Sequence, residues 1–113
     1  MTSPPPLLTV PGRWERALAG KTAAKVEEAL PAYLAGQRGF GGKARRVKST
    51  RIQEVLPLPS GPRDTYILLV SVGYTEGNEE TYTLPVAYAS ARQAEEVLQE
   101  DPRAVLARLI LKD

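Results

Sequence analysis

Residues 64–74 read DTYILLVSVGY, and no other stretch of this chain limits its fold so much. Side chains alternate across an extended strand. Tyr66, Leu68, Val70, Val72 and Tyr74 therefore share one face, with Ile67 and Leu69 on the other. Ser71 and Gly73 make that second face smaller and more polar, which predicts less burial there. The segment TEGNEE follows, with a turn at Gly77 and Asn78. Thr81 to Tyr88 then returns with Tyr82, Leu84, Val86 and Tyr88 in phase. The pattern predicts an antiparallel hairpin. Pro85 lies on the opposite phase, and its missing amide calls for an edge strand or a bulge. Val47 to Leu56 (VKSTRIQEVL) supplies a third strand, ended by Pro57 and Pro59, and PLPSGPRD is a turn-rich loop.

Helical period appears on both sides of these strands. Val26, Leu30, Tyr33 and Leu34 form one apolar stripe. Thr22 is placed to cap it, since a threonine hydroxyl can accept a free amide of the first turn. Pro31 interrupts the stripe, because proline removes a donor and clashes one turn back. Either a kink at Leu30 or two short helices is expected, with Gly36 or Gly39 as the stop. Trp14 and Leu18 stand one turn apart in a short helix that docks its indole on the domain, with Gly20 ending it. Residues 1–12 hold Pro4, Pro5, Pro6 and Pro11 and read as an extended arm or linker. Ala91 to Gln99 reads as a helix that stops before Pro102, and Val105 to Leu111 as a final strand, with a helix as the alternative there. The order helix, three strands, helix, strand predicts an α+β domain. Its simplest form is an antiparallel sheet of about four strands packed around the first helix.

Composition removes several chemistries. The 113 residues contain neither cysteine nor histidine, so thiolate nucleophiles, disulfides, imidazole bases and the common zinc ligands are all missing. Ser60, Ser71 and Ser90 have no histidine to activate them. The carboxylates show no nucleophile or metal-ligand spacing. Glu79-Glu80 and Glu95-Glu96 read as a solvated turn and a helix surface. Formal net charge is +2, too small to indicate nucleic acid by itself. No apolar run approaches a membrane span, and the start of the chain lacks the features of a secretory signal. A cytoplasmic protein with no membrane partner is expected.

The segment QRGFGGKARR (37–46) is the one motif that invites chemistry. A phosphate-cradling loop would need glycine where Gln37 stands and a hydroxyl where Ala44 stands. It would also run from strand to helix, and this one runs from helix to strand. The simpler reading is a turn whose glycines permit positive φ, with Phe40 plugged into the core. The basic residues Lys43, Arg45, Arg46, Lys48 and Arg51 split between two strand phases and lack stacking aromatics, so nucleic acid is only an alternative. Small-molecule binding on the concave face of the sheet is another.

These residues carry a resemblance. The runs LPAYLAGQRGFGGKARRVKSTRI, TYILLVSVGYTEGNEETYTLPVAYA and PRAVLARL resemble the N-terminal cap region of bacterial maltokinases, most closely the form fused behind trehalose synthase. The likeness runs over about residues 13–110. Its most specific parts are Gln37-Arg38, Phe40-Gly41-Gly42-Lys43 and Tyr82 to Ala87. Gly39 stands where the family has tryptophan. The resemblance implies a cystatin-like arrangement, a curved antiparallel sheet around a helix. It divides the chain into an arm with a Trp-bearing helix (1–20) and a cap-like domain (21–113). It also implies a parent activity in which ATP phosphorylates maltose to maltose 1-phosphate in trehalose and α-glucan metabolism. No catalytic, cofactor-binding or metal residue of that chemistry maps onto this chain. The implied role is therefore non-catalytic, with ATP and magnesium belonging to the full-length family. The implied partner is a kinase lobe or a trehalose-synthase-like protein, met at an interface around Trp14, Gln37, Arg38, Phe40, Gly41, Gly42 and Lys43.

Overall fold

The structure is a computed structural model and describes residues 5–37, 40, 45–59 and 65–112. Along the chain run strand β1 (Leu7–Pro11), a 3-10 turn (Trp14–Leu18) and helix α1 (Gly20–Ala35). Strands β2 (Val47–Leu58), β3 (Thr65–Tyr74) and β4 (Glu80–Ala87) follow. Helix α2 (Ala91–Glu100), a second 3-10 turn (Pro102–Ala104) and strand β5 (Arg108–Lys112) complete the order. The class is α+β.

The hairpin forms as the alternation predicts. β2, β3 and β4 make an antiparallel sheet with β3 in the middle, and β4 is an edge strand that accommodates Pro85. Leu68, Val70 and Val72 are fully buried, and they meet Leu30 and Leu34 of α1 in the core. Ser71 and Gly73 depart from expectation, because both are buried. The Ser71 hydroxyl donates to Oε1 of Glu79 at 3.0 Å. A Cβ on Gly73 would sit 2.8 Å from Oγ of Ser49. The two small residues let neighbouring polar groups close over this face instead of leaving it open.

β2 extends through Pro57, which takes its place opposite Tyr66. The strand does not alternate strictly. Val47, Ile52 and Val55 all pack on the core despite odd spacings. The register shifts between Val47 and Ser49 and again between Ile52 and Glu54. Each shift absorbs one residue, Lys48 and then Gln53, and restores the inward phase, since a one-residue slip flips every later side chain.

Pro31 neither breaks α1 nor divides it. In a regular helix the amide of residue 31 would bond the carbonyl of Glu27, and proline has no amide to give. That carbonyl instead accepts the Thr50 hydroxyl of β2 at 2.5 Å. The Glu27 carboxylate accepts the amide of Ile52 at 2.7 Å. Both ends of one residue thus bind the helix to the sheet. Thr22 is not the cap. The amide of Ala23 bonds the carbonyl of Ala19, which closes the first turn upstream of Thr22 and leaves Ala19 at the N-cap. Gly20 consequently opens α1 rather than ending the preceding turn. Gly36 ends α1 but in the right-handed region, with φ −85° and ψ −6°.

The N-terminal segment is not simply an arm. β1 pairs in parallel with β5, with Leu8 opposite Leu109 and Val10 opposite Leu111. Leu8 and Val10 are buried, Val10 completely, which anchors the pair on the domain. β5 is therefore not a fourth strand of the antiparallel sheet. It lies in a separate two-stranded sheet. Among the described residues no helix is long and apolar enough to cross a membrane.

The bulges yield a stability prediction. Gln53→Ala should change stability by about 0.5 kcal/mol or less, as for most exposed positions. Deleting Gln53 leaves Ile52 and Val55 two residues apart, the spacing at which a bulge-free strand points both inward, so the deletion should be tolerated. Deleting Gln53 and Glu54 together makes Ile52 and Val55 neighbours and turns one of them outward, which should cost at least the 1.5–3 kcal/mol or so of one buried aliphatic side chain. Urea denaturation of the two deletion variants checks the difference.

Candidate functional site

The motif between α1 and β2 is held at both ends. The structure describes Gln37, Phe40 and Arg45, whereas Arg38, Gly39, Gly41, Gly42 and Lys43 lie outside the described residues. Gln37 Nε2 donates to the carbonyl of Tyr33 at 3.3 Å and to that of Arg103 at 2.7 Å. The amide thus ties the end of α1 to the second 3-10 turn. Phe40 is buried in the core, as the sequence suggested, and its ring meets Tyr82 at a centroid distance of 5.1 Å.

Arg45 makes the second anchor. Its guanidinium lies 3.6 Å from the centre of the Tyr74 ring, within cation–π range. Nη2 donates to the carbonyls of Glu76 (3.1 Å) and Asn78 (3.0 Å), and Nη1 stands 3.5 Å from Oε1 of Glu80. Gly77 makes this grip possible. Its φ is +88°, and a Cβ there would come 2.5 Å from Nη2 of Arg45. Glu80 joins the two anchors. Its Oε1 accepts the hydroxyls of Tyr74 at 2.7 Å and Tyr82 at 3.0 Å. Phe40 rests on one of these tyrosines and Arg45 on the other. Phe40 and Arg45 consequently rest on adjacent rings of one hydrogen-bonded cluster.

The electrostatics suit a clamp. The Tyr74 and Tyr82 hydroxyls, followed by Arg45, hold the Glu80 carboxyl below the usual range. Burial first, then the bonds to Tyr82 and Glu80, push the Tyr74 hydroxyl up. The Glu80 carboxylate is held ionised and the Tyr74 phenol protonated, a fixed acceptor facing a fixed donor. Tyr33, beside Gln37, is also raised, by burial and then by the charge of Asp101.

Trp14 belongs elsewhere. It stacks on Tyr88 (5.7 Å, 14° between planes) and meets Tyr66 edge-on at 5.5 Å. Tyr66 is near the start of β3 and Tyr74 is its last residue, so Trp14 and the clamp occupy opposite ends of that strand. The basic run is not one surface either, since Arg45 is engaged and Lys48 sits in a bulge. Arg45, Tyr74, Tyr82 and Glu80 are absent from the sequence-based set. A cation spaced from aromatics on one strand face is the available signal, but Glu79-Glu80 reads in isolation as a solvated turn. Among the described residues no group of three or more His, Cys, Asp or Glu could hold a metal ion.

The maltokinase N-terminal cap domain family matches residues 33–111. The chain belongs to this family. The matched part of the cap domain holds the clamp, the three-stranded sheet, α2 and β5 up to Leu111, and it begins near the end of α1. Neither the curated proteins nor the solved structures include a significant match.

The clamp generates a pH prediction. Glu80 has a folded-state pKa below its unfolded value, so its contribution is present above the ordinary glutamate range and is lost as pH falls through the lowered folded value. Tyr74 is raised, so its contribution is present below the ordinary tyrosine pKa of about 10 and declines as pH climbs above it. Thermal melts from about pH 3 to 11 should fall at both limits. Glu80→Gln should flatten the acid limb specifically.

Proposed function

We propose that this cap domain acts without catalysis of its own, by docking on a kinase lobe or a trehalose-synthase-like partner through the segment from Gln37 to Lys43. The observation that carries this reading is the clamp. Phe40 and Arg45 fix both ends of a short Gly-Gly-Lys-bearing segment. Fixing a binding loop in advance lowers the entropy lost on association. Lys43 and Arg38 then offer charge to an acidic surface on the partner.

In this reading the parent activity is ATP-dependent phosphorylation of maltose to maltose 1-phosphate, within trehalose and glycogen metabolism in the cytoplasm. ATP and magnesium belong to the partner lobe. The described carboxylates of this chain do not gather into a site that fits a metal, and no step runs through one. The packing of α1 against a three-stranded sheet supports a cystatin-like arrangement for the same reading.

The test uses the purified chain and a separately produced maltokinase catalytic lobe. Titration calorimetry should detect a complex. Arg38→Glu combined with Lys43→Glu should weaken it at least tenfold, about 1.4 kcal/mol, and leave the melting temperature of the cap unchanged. A lobe that does not bind, or a variant that binds equally well, contradicts the proposal.

A further inference from the structure

The β1–β5 pair is an incomplete sheet. Parallel sheets are normally covered on both faces, and isolated two-stranded sheets are only marginally stable. Here the pair is five residues long and leaves Leu7, Ile110 and Leu111 exposed. The two edges differ. The amide of Arg108 donates to the carbonyl of Pro6 at 2.8 Å, and the amide of Gly12 donates to that of Lys112. Residues 108, 110 and 112 therefore direct their backbone groups at β1. Those of Leu109 and Leu111 point to the outer edge and have no backbone partner among the described residues. The outer edge of β1 carries Pro11, which has no amide to offer. A trough of about 560 Å³ is lined by β5 from Arg108 to Ile110, by Leu7 of β1 and by Ala94, Val97 and Leu98 of α2. It offers room for apolar side chains of an added strand.

Charge selects the occupant. β5 reads RLILK, with Arg108 and Lys112 both exposed and neither in an ion pair among the described residues. A second copy pairing antiparallel about Ile110 would set Arg108 against Lys112, and like charges directly opposite each other destabilise a sheet. We propose that the outer edge of β5 is a strand-addition site for an extended segment of a protein partner, apolar in the middle and acidic at its flanks. Main-chain hydrogen bonds to Leu109 and Leu111 would supply the pairing, and the two cations would set the specificity. The inference rests on the docking reading above for its biological setting, and it places a second contact away from the clamp.

Hydrogen exchange by NMR tests it without any kinase lobe, so its failure is distinguishable from failure of the docking reading. The probes are two synthetic peptides of alternating valine and threonine, one flanked by glutamates and one by lysines. The acidic peptide should slow exchange of the Leu109 and Leu111 amides at least fivefold and leave Val70 unchanged. The lysine peptide should bind at least tenfold more weakly. Arg108→Glu with Lys112→Glu, both exposed positions, should reverse the preference. No slowing at millimolar acidic peptide, equal binding of the two peptides, or a dimer in which both amides are already protected would each overturn the proposal.

Discussion

Pro31 leaves the carbonyl of Glu27 without its helical amide, and Thr50 of β2 supplies the missing donor. Left without a partner, this half-buried carbonyl would cost up to roughly 1–3 kcal/mol, so the bond is favoured once helix and sheet meet. It also fixes where they meet. The Glu27 carboxylate reaches the amide of Ile52 in the same place, and together the two bonds allow one axial position of α1 on β2. Leu30 and Leu34 then face Leu68, Val70 and Val72. The proline that ought to break the helix instead creates the acceptor that docks it.

The motif inherits its position from that joint. α1 ends at Gly36, its last turn is tied to the 3-10 turn at 102–104 by Gln37, and the chain then enters the core at Phe40. On the sheet side the return point is set by Arg45, whose planar fork reaches two carbonyls, one carboxylate and one ring together. A lysine could keep the charge there but not that geometry. Glu80 gathers the two tyrosines on which these anchors rest. Gln37, Phe40 and Arg45 thus rest on a base assembled from two strands, the turn between them and a helix end.

Parts of this are legible in the sequence because their signals are local. The alternation from Tyr66 to Tyr74 depends only on neighbouring residues, and so does the edge requirement of Pro85. The burial of Phe40 and the docking of Trp14 follow from large apolar rings in otherwise polar or small surroundings. Other features depend on residues distant in the chain. β1 reads as a proline-rich arm because its partner, β5, lies at the other end of the sequence. Lys48 and Gln53 carry no mark of a bulge, since each is an ordinary polar residue on a strand. Ser71 and Gly73 read as exposed because small size signals either openness or close approach, and only Ser49 and Glu79 decide which. Arg45 reads as one cation among several until the turn at Gly77 brings two carbonyls to it.

A double-mutant cycle on unfolding free energy, with Pro31→Ala and Thr50→Val, tests the joint between α1 and β2. Alanine restores the helical amide to Glu27, and valine removes the hydroxyl without changing the shape of the side chain. Thr50→Val should cost up to roughly 1–3 kcal/mol while Pro31 is present and far less once Pro31→Ala has been made, which is strong coupling between the two changes. Equal cost in both backgrounds would contradict it, because Thr50 would then not be filling the gap that proline leaves.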